Sequence, residues 1–253
     1  MMLPHRIDTM KAPALLAILS ALTLLGTNDA RACGRDFFLC DPSSLPPGLA
    51  TLLLPTFRWD RDGGQDEFEF STGIVHPLTS RIAFDGYVSF TDEQGGWETE
   101  SIVPGFLFDL TPDMEKSPVR FGLFTAYKWA VNGGDVDEFI SANQLDARDQ
   151  FESRFIIETN VTDDVGLVFN LLNTVYEGKA RWGYATGVRC EFREDLGGSI
   201  EAIGDFQDGG KHQLFANLWW EPTEGIVLRI GAGAGLSERA EDFTMLTGLV
   251  FEF

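Results

Sequence analysis

The residues with chemistry in them are charges placed where apolar side chains would be expected. Arg120, Lys128, Glu152, Arg154, Glu158, Arg181, Arg189 and Arg229 each fall inside a stretch that alternates apolar with small or polar residues. The same phase carries Arg58 and Arg81, and the carboxylates Asp60, Glu67, Glu69, Asp85, Asp109, Glu191, Glu201, Asp205 and Glu252. Arginines facing carboxylates across a narrow lumen create a transverse field that orients and selects solutes. The same pairs, spread along a wall, zip neighbouring strands and fill the interior. Arg120, Lys128 and Arg154 lie on adjacent predicted strands and form the candidate positive cluster.

Other chemistries have less support. Hydrolysis by a barrel enzyme needs a histidine beside a serine and an orienting polar group. Outside the first 32 residues only His76 and His212 occur, one in a predicted turn and the other at the opposite end of a predicted strand. No enzymatic role is therefore expected, a lipid or lipopolysaccharide hydrolase being the competing class. The segment from Asn132 to Asp149 contains Asp135, Asp137 and Glu138, weak candidates for a divalent cation. It lacks the ordered spacing and central glycine of a dedicated calcium loop, so no metal or other cofactor is expected.

These side chains are carried by strands. Twelve alternating stretches are separated by turn-forming residues, each near the ~9–11 residues that a tilted membrane-spanning strand requires. In VRFGLFTAYKWAV, Phe121, Leu123, Tyr127 and Trp129 face one way, and Arg120, Gly122, Ala126 and Lys128 the other. In RWGYATGVRCEF, Trp182, Tyr184, Val188 and Phe192 oppose Gly183, Ala185, Gly187, Arg189 and Glu191. A soluble sandwich also alternates, but glycine and alanine sharing a face with arginine and glutamate suit a narrow wet lumen better than a solvent-washed surface. The expected fold is all-β, a transmembrane antiparallel up-and-down β-barrel of about 12 strands over residues 49–253. Short turns fall on one side and long acidic connections on the other, which sets Trp59, Trp97, Trp129 and Trp182 near one interface and Trp220 and Phe253 near the other.

The ends of the chain agree. Arg6 and Lys11 precede the apolar run from Ala12 to Leu25, and Ala30-Arg31-Ala32 supplies a cleavage site, so residues 1–32 read as a signal peptide. Residues 33–48, rich in Pro, Ser and Gly, read as a periplasmic lead-in. Cys33 and Cys40 are close enough to close a small loop in an oxidising compartment, which would leave Cys190 unpaired. The net charge of −20 becomes −21 once the leader's three basic and two acidic residues are removed, and a field of that sign argues against nucleic acid as a partner. The final strand, FTMLTGLVFEF, resembles the C-terminal signal read by the barrel-assembly machinery, through Gly248, Phe251 and Phe253; Leu246 departs from its polar first position.

Five segments carry a wider resemblance: PLTSRIAF from Pro77, GGWETESIVPG from Gly95, GYATGVRCEF from Gly183, GSIEAIGDF from Gly198 and GAGAGLSERAEDF from Gly231. With them, the span from Leu49 to Phe253 resembles the outer-membrane transporters named for the MetA pathway of phenol degradation. The resemblance implies passive passage of small solutes, aromatic or apolar organic molecules among them, across the outer membrane of a Gram-negative bacterium. Outer-membrane lipid, lipopolysaccharide, the assembly machinery and a small-molecule solute are the partners implied. It carries no catalytic motif.

Overall fold

A computed structural model describes residues 37, 39, 40, 42, 43, 45, 46, 50–93, 96–112, 117–131, 149–176, 178–207 and 209–253. The leader, its cleavage site, Cys33 and the acidic trio Asp135, Asp137 and Glu138 lie outside the described residues.

The ordered elements are β1 (Leu52–Asp62), β2 (Gln65–Pro77), β3 (Ile82–Glu93), β4 (Gly96–Asp109), β5 (Val119–Ala130) and β6 (Gln150–Asn160). They continue as β7 (Val165–Tyr176), β8 (Lys179–Arg193), β9 (Leu196–Asp205), β10 (His212–Thr223), β11 (Ile226–Gly235) and β12 (Phe243–Glu252). Each strand pairs antiparallel with its neighbour in sequence, and β1 pairs with β12, so the sheet closes. Closure removes the edges that would leave backbone amides unpaired in lipid. The twelve alternating stretches read from the sequence each coincide with one of these strands.

The terminal rim holds the start of β1 and the end of β12, where Thr51 and Phe253 exchange two backbone hydrogen bonds of 2.8 and 3.1 Å. The loop rim lies opposite and includes the tight β1–β2 turn, in which Gly63 and Gly64 have φ of 54° and 84°. Two consecutive left-handed residues match the twist of a two-residue hairpin, and glycine adopts them without strain. Pro55 and Pro104 sit inside strands, where each lacks a backbone donor. On one side of each the pairing skips: β1–β12 passes from Leu53 to Thr56, and β4–β5 from Ile102 to Gly105.

The burial pattern is inverted relative to a water-soluble protein. Ile200 is 60% exposed while Glu201 beside it is fully buried; Trp129 is 50% exposed and Lys128 fully buried. Phe106, Phe151, Phe155, Leu214, Leu218 and Ile230 continue the outward apolar belt. Such a surface is stable only against an apolar medium. Trp97, Trp129 and Trp182 are exposed toward the loop rim, and Trp220 and Phe253 toward the terminal rim, giving the two expected aromatic girdles. Trp97 reaches the outer face through a bulge. Register shifts between Ser89 and Phe90, so that Ser101 pairs with Ser89 but Thr99 with Phe90, and strict alternation from Val103 would have turned Trp97 inward.

Candidate functional site

The lumen is the candidate site, because the alternation delivers the buried charges there. Toward the loop rim, the Arg58 guanidinium grips Asp60 through Nε and through Nη2 at 3.1 Å, and Thr244 donates its hydroxyl to the same carboxylate. Glu69 and Glu67 on β2 stand opposite Arg58 and Asp60 in the register. Lys211 meets Glu241 at 3.2 Å, and Gln213 donates to Glu241 as well. At mid-height Arg154 lies 3.6 Å from Glu152, with its guanidinium carbon 4.9 Å from the centre of the Phe124 ring. Nearer the terminal rim, Arg189 is held by Glu191 at 2.7 Å and by Asn160 at 2.9 Å.

Among the pore-lining residues expected from sequence, Lys128, Glu152, Arg154, Glu158, Arg189 and Arg229 are buried on the inner face; Arg120 and Arg181 are half-buried on the same face. The candidate positive cluster does not assemble. Arg120 and Lys128 stand eight residues apart on β5, roughly 26 Å at ~3.3 Å per residue. The register sets Arg120 opposite Glu158, Arg154 opposite Phe124 and Lys128 opposite Gln150, which spaces these cations along the axis among carboxylates and amides. Arg81 is exposed in the β2–β3 turn and donates to the carbonyls of Thr111 at 2.8 Å and Pro112 at 3.3 Å, so it braces the terminal rim instead of lining the lumen. Glu252 is exposed at the same rim. Gly248 faces inward, and a Cβ placed on it would come 3.4 Å from Arg229 Nη2.

Sequence reasoning gave no sign that the residues before β1 enter the barrel. The described part of the predicted lead-in, from Phe37 to Leu45, lies inside it. Leu39 and Cys40 donate their backbone N–H groups to Glu201 Oε2 at 2.7 and 2.9 Å. Ser43 donates its N–H and hydroxyl to Glu158 Oε2 at 2.9 and 2.8 Å, and Arg229 Nη1 donates to the Phe37 carbonyl at 3.0 Å. An irregular segment must satisfy its backbone groups somewhere, and the inward charges supply those partners. We call this segment the strap. The strap follows the wall from Glu201 at mid-height down to Glu158 near the terminal rim, then joins β1.

The wall is shaped to receive it. A Cβ on Gly187 would stand 2.7 Å from the Phe37 ring, and one on Gly122 would stand 3.2 Å from Ser43 Cα. Gly197 and Gly233 make the same kind of room for the inward rings of Trp219 and Phe215. Glycine at inward positions was the one available signal, since glycine within a strand marks a close approach. Glu201 is the hub of the arrangement: besides the two strap amides it accepts from Ser199 Oγ at 3.0 Å and from the Asn217 side-chain amide.

The two histidines stand at opposite rims. His76 Nδ1 contacts Thr51 Oγ1 at 2.9 Å at the terminal rim, and His212 Nδ1 contacts the Tyr184 hydroxyl at 3.2 Å at the loop rim. Ser237 Oγ accepts from the backbone N–H of His212 at 3.1 Å.

Arg189 tests how far the buried pairs support the barrel. Arg189 is 2% exposed, and truncating it removes its charge-assisted hydrogen bonds to Glu191 and Asn160, each worth about 1.5–3 kcal/mol. Arg189→Ala should therefore lower the urea midpoint of unfolding in detergent micelles. A midpoint equal to that of the unaltered protein would show that Glu191 and Asn160 are satisfied without it.

Comparison with protein-family models gives no match, and no curated protein matches the chain. Solved structures do. The barrel is similar to the KdgM porin, with a TM-score of 0.58 and 10% sequence identity over 79% of this chain and 99% of that one. It is similar to an outer membrane channel from Pseudomonas putida F1, at 0.56 and 12% over 84% and 99%, and to the NanC porin, at 0.56 and 9% over 81% and 100%. At such identities the likeness is one of fold: a closed, twelve-stranded antiparallel barrel of the kind found in outer-membrane porins and channels.

Proposed function

We propose that the protein is a passive outer-membrane channel of a Gram-negative bacterium, passing small organic solutes through a lumen narrowed by the strap. The observation that carries this reading is the inverted barrel: an apolar belt between two aromatic girdles outside, and paired charges inside. Diffusion down a gradient needs neither cofactor nor energy source. The KdgM porin, whose barrel is similar, has been solved in complex with disordered oligogalacturonate. The likeness to the MetA-pathway transporters supports the same role, as does the leader, for which we infer removal after Ala32. Lipid and lipopolysaccharide would contact the outer belt, and the assembly machinery would read β12.

Hydrolysis is disfavoured by the two histidine rings, which sit at opposite rims with Thr51 and Tyr184 as their partners. A purely structural barrel is the remaining alternative, and the strap is the observation that favours it. Planar-bilayer recording separates the two. The refolded full chain should give small discrete conductance steps, and a variant lacking residues 37–46 should give larger ones. Silence from both proteins across the voltage range would establish the structural barrel.

A further inference from the structure

The strap is held by a specific set of groups, and that set describes a ligand. Glu201 and Glu158, both buried, each accept two hydrogen bonds from the strap, and Arg229 donates to one of its carbonyls. The polar groups of the wall therefore recognise N–H donors and a neighbouring carbonyl oxygen, to which the strap's side chains add the Ser43 hydroxyl and the Phe37 ring packed at Gly187. A second observation points the same way. Glu158 Oε1 and Asn217 Oδ1 are buried acceptors without a hydrogen-bond partner, although Glu158 is 2% exposed and Asn217 adjoins Glu201. Both orphaned atoms call for donors, because a buried acceptor left unpaired loses its hydration without replacement.

We propose that Glu201, Glu158 and Asn217 form a donor-binding subsite of the channel, which the strap's own amides fill at rest and which solutes bearing cationic or amide N–H groups beside a carbonyl take over in passage. Short peptides and amino-acid amides have this chemistry. Carboxylate solutes meet two like charges in succession along the strap's path and offer them nothing to accept. This assignment rests on the channel reading and specifies the solute class for it. Arg229 adds the complementary contact, since a guanidinium that holds the Phe37 carbonyl will equally hold a solute carbonyl. The net charge of −21 left once the leader's three basic and two acidic residues are removed favours the approach of cations.

Liposome swelling with the full chain tests it, using argininamide and benzoate as probes. Argininamide should pass faster than benzoate by about tenfold, equivalent to about 1.4 kcal/mol. Glu158→Gln with Glu201→Gln should abolish most of that preference while the folded barrel keeps its heat-dependent shift on a gel. Leu39→Pro, which removes one of the two strap N–H groups on Glu201 and leaves every wall residue in place, should instead speed argininamide by opening half of that acceptor. Equal passage of the two probes, or a preference unchanged in the double glutamine variant, would overturn the subsite. So would a Leu39→Pro rate equal to that of the unaltered chain. The variant lacking residues 37–46 separates this outcome from failure of the channel reading. If it passes both probes without discrimination, the channel stands and the subsite falls. If it passes neither, the channel reading falls and takes the subsite with it.

Discussion

Gly187→Leu should produce a channel with larger conductance steps than the unaltered protein, in a barrel that is still fully folded. A Cβ at this position already meets the Phe37 ring at 2.7 Å and the Glu201 side chain at 3.2 Å, so the larger leucine and the strap cannot share the space. Either the wall or the strap must give. The wall at Gly187 is held by ladders to β7 and β9, through Val168 and Glu201. The strap is held by the Phe37 ring, worth about 1.5–3 kcal/mol, and by a few hydrogen bonds to charged groups, each worth about 1.5–3 kcal/mol. Overpacking costs about 1–3 kcal/mol where it cannot relax, and displacing Phe37 relaxes it. The strap's upper half should therefore leave Glu201 while Ser43 stays on Glu158. Gly122→Leu, pressing on Ser43 Cα, should release the lower half by the same logic. Planar-bilayer conductance of each variant decides the matter. Steps no larger than those of the unaltered protein would show that the strap does not restrict the pore.

The strand count, the closure and the two faces were legible because two independent patterns coincide on each strand. Period-two alternation marks the strand, and a turn cluster marks its end. Lys128 beside Trp129 and Arg189 beside Val188 show the same inversion in sequence as in burial. What failed was any feature that depends on where a strand sits relative to its neighbour. The bulge near Ser89 that turns Trp97 outward leaves no mark in the alternation of β4. Arg81 has the right parity for the lumen, yet it stands in the turn one residue before β3, held to β4 only through its carbonyl, and its side chain turns to the carbonyls of Thr111 and Pro112. Arg120, Lys128 and Arg154 are neighbours by strand but not by height, and height comes from residue position along each strand as well as strand order. The strap was illegible for a stronger reason. Its composition is that of an exposed turn region, and the carboxylates that hold Leu39, Cys40 and Ser43 lie more than a hundred residues away in sequence.

Phe253→Asp should leave the folded barrel almost unchanged and yet remove most of the protein from the outer membrane. Phe253 is 74% exposed, and two backbone hydrogen bonds with Thr51 attach it to the barrel. A substitution that keeps those bonds and alters an exposed side chain changes stability by only about 0.5 kcal/mol. Purified variant and unaltered protein should therefore unfold at nearly the same urea concentration after refolding in detergent. Biogenesis is different, because the terminal aromatic of β12, with Phe251 and Gly248, is what the assembly machinery would recognise before any barrel exists. A charge there both removes the aromatic ring and places a carboxylate where the apolar belt meets the headgroups. Quantifying the variant in outer-membrane fractions alongside its in vitro midpoint separates the two effects. Normal outer-membrane levels would show that insertion does not depend on this residue; a large fall in the midpoint would show that the ring supports the closed barrel itself.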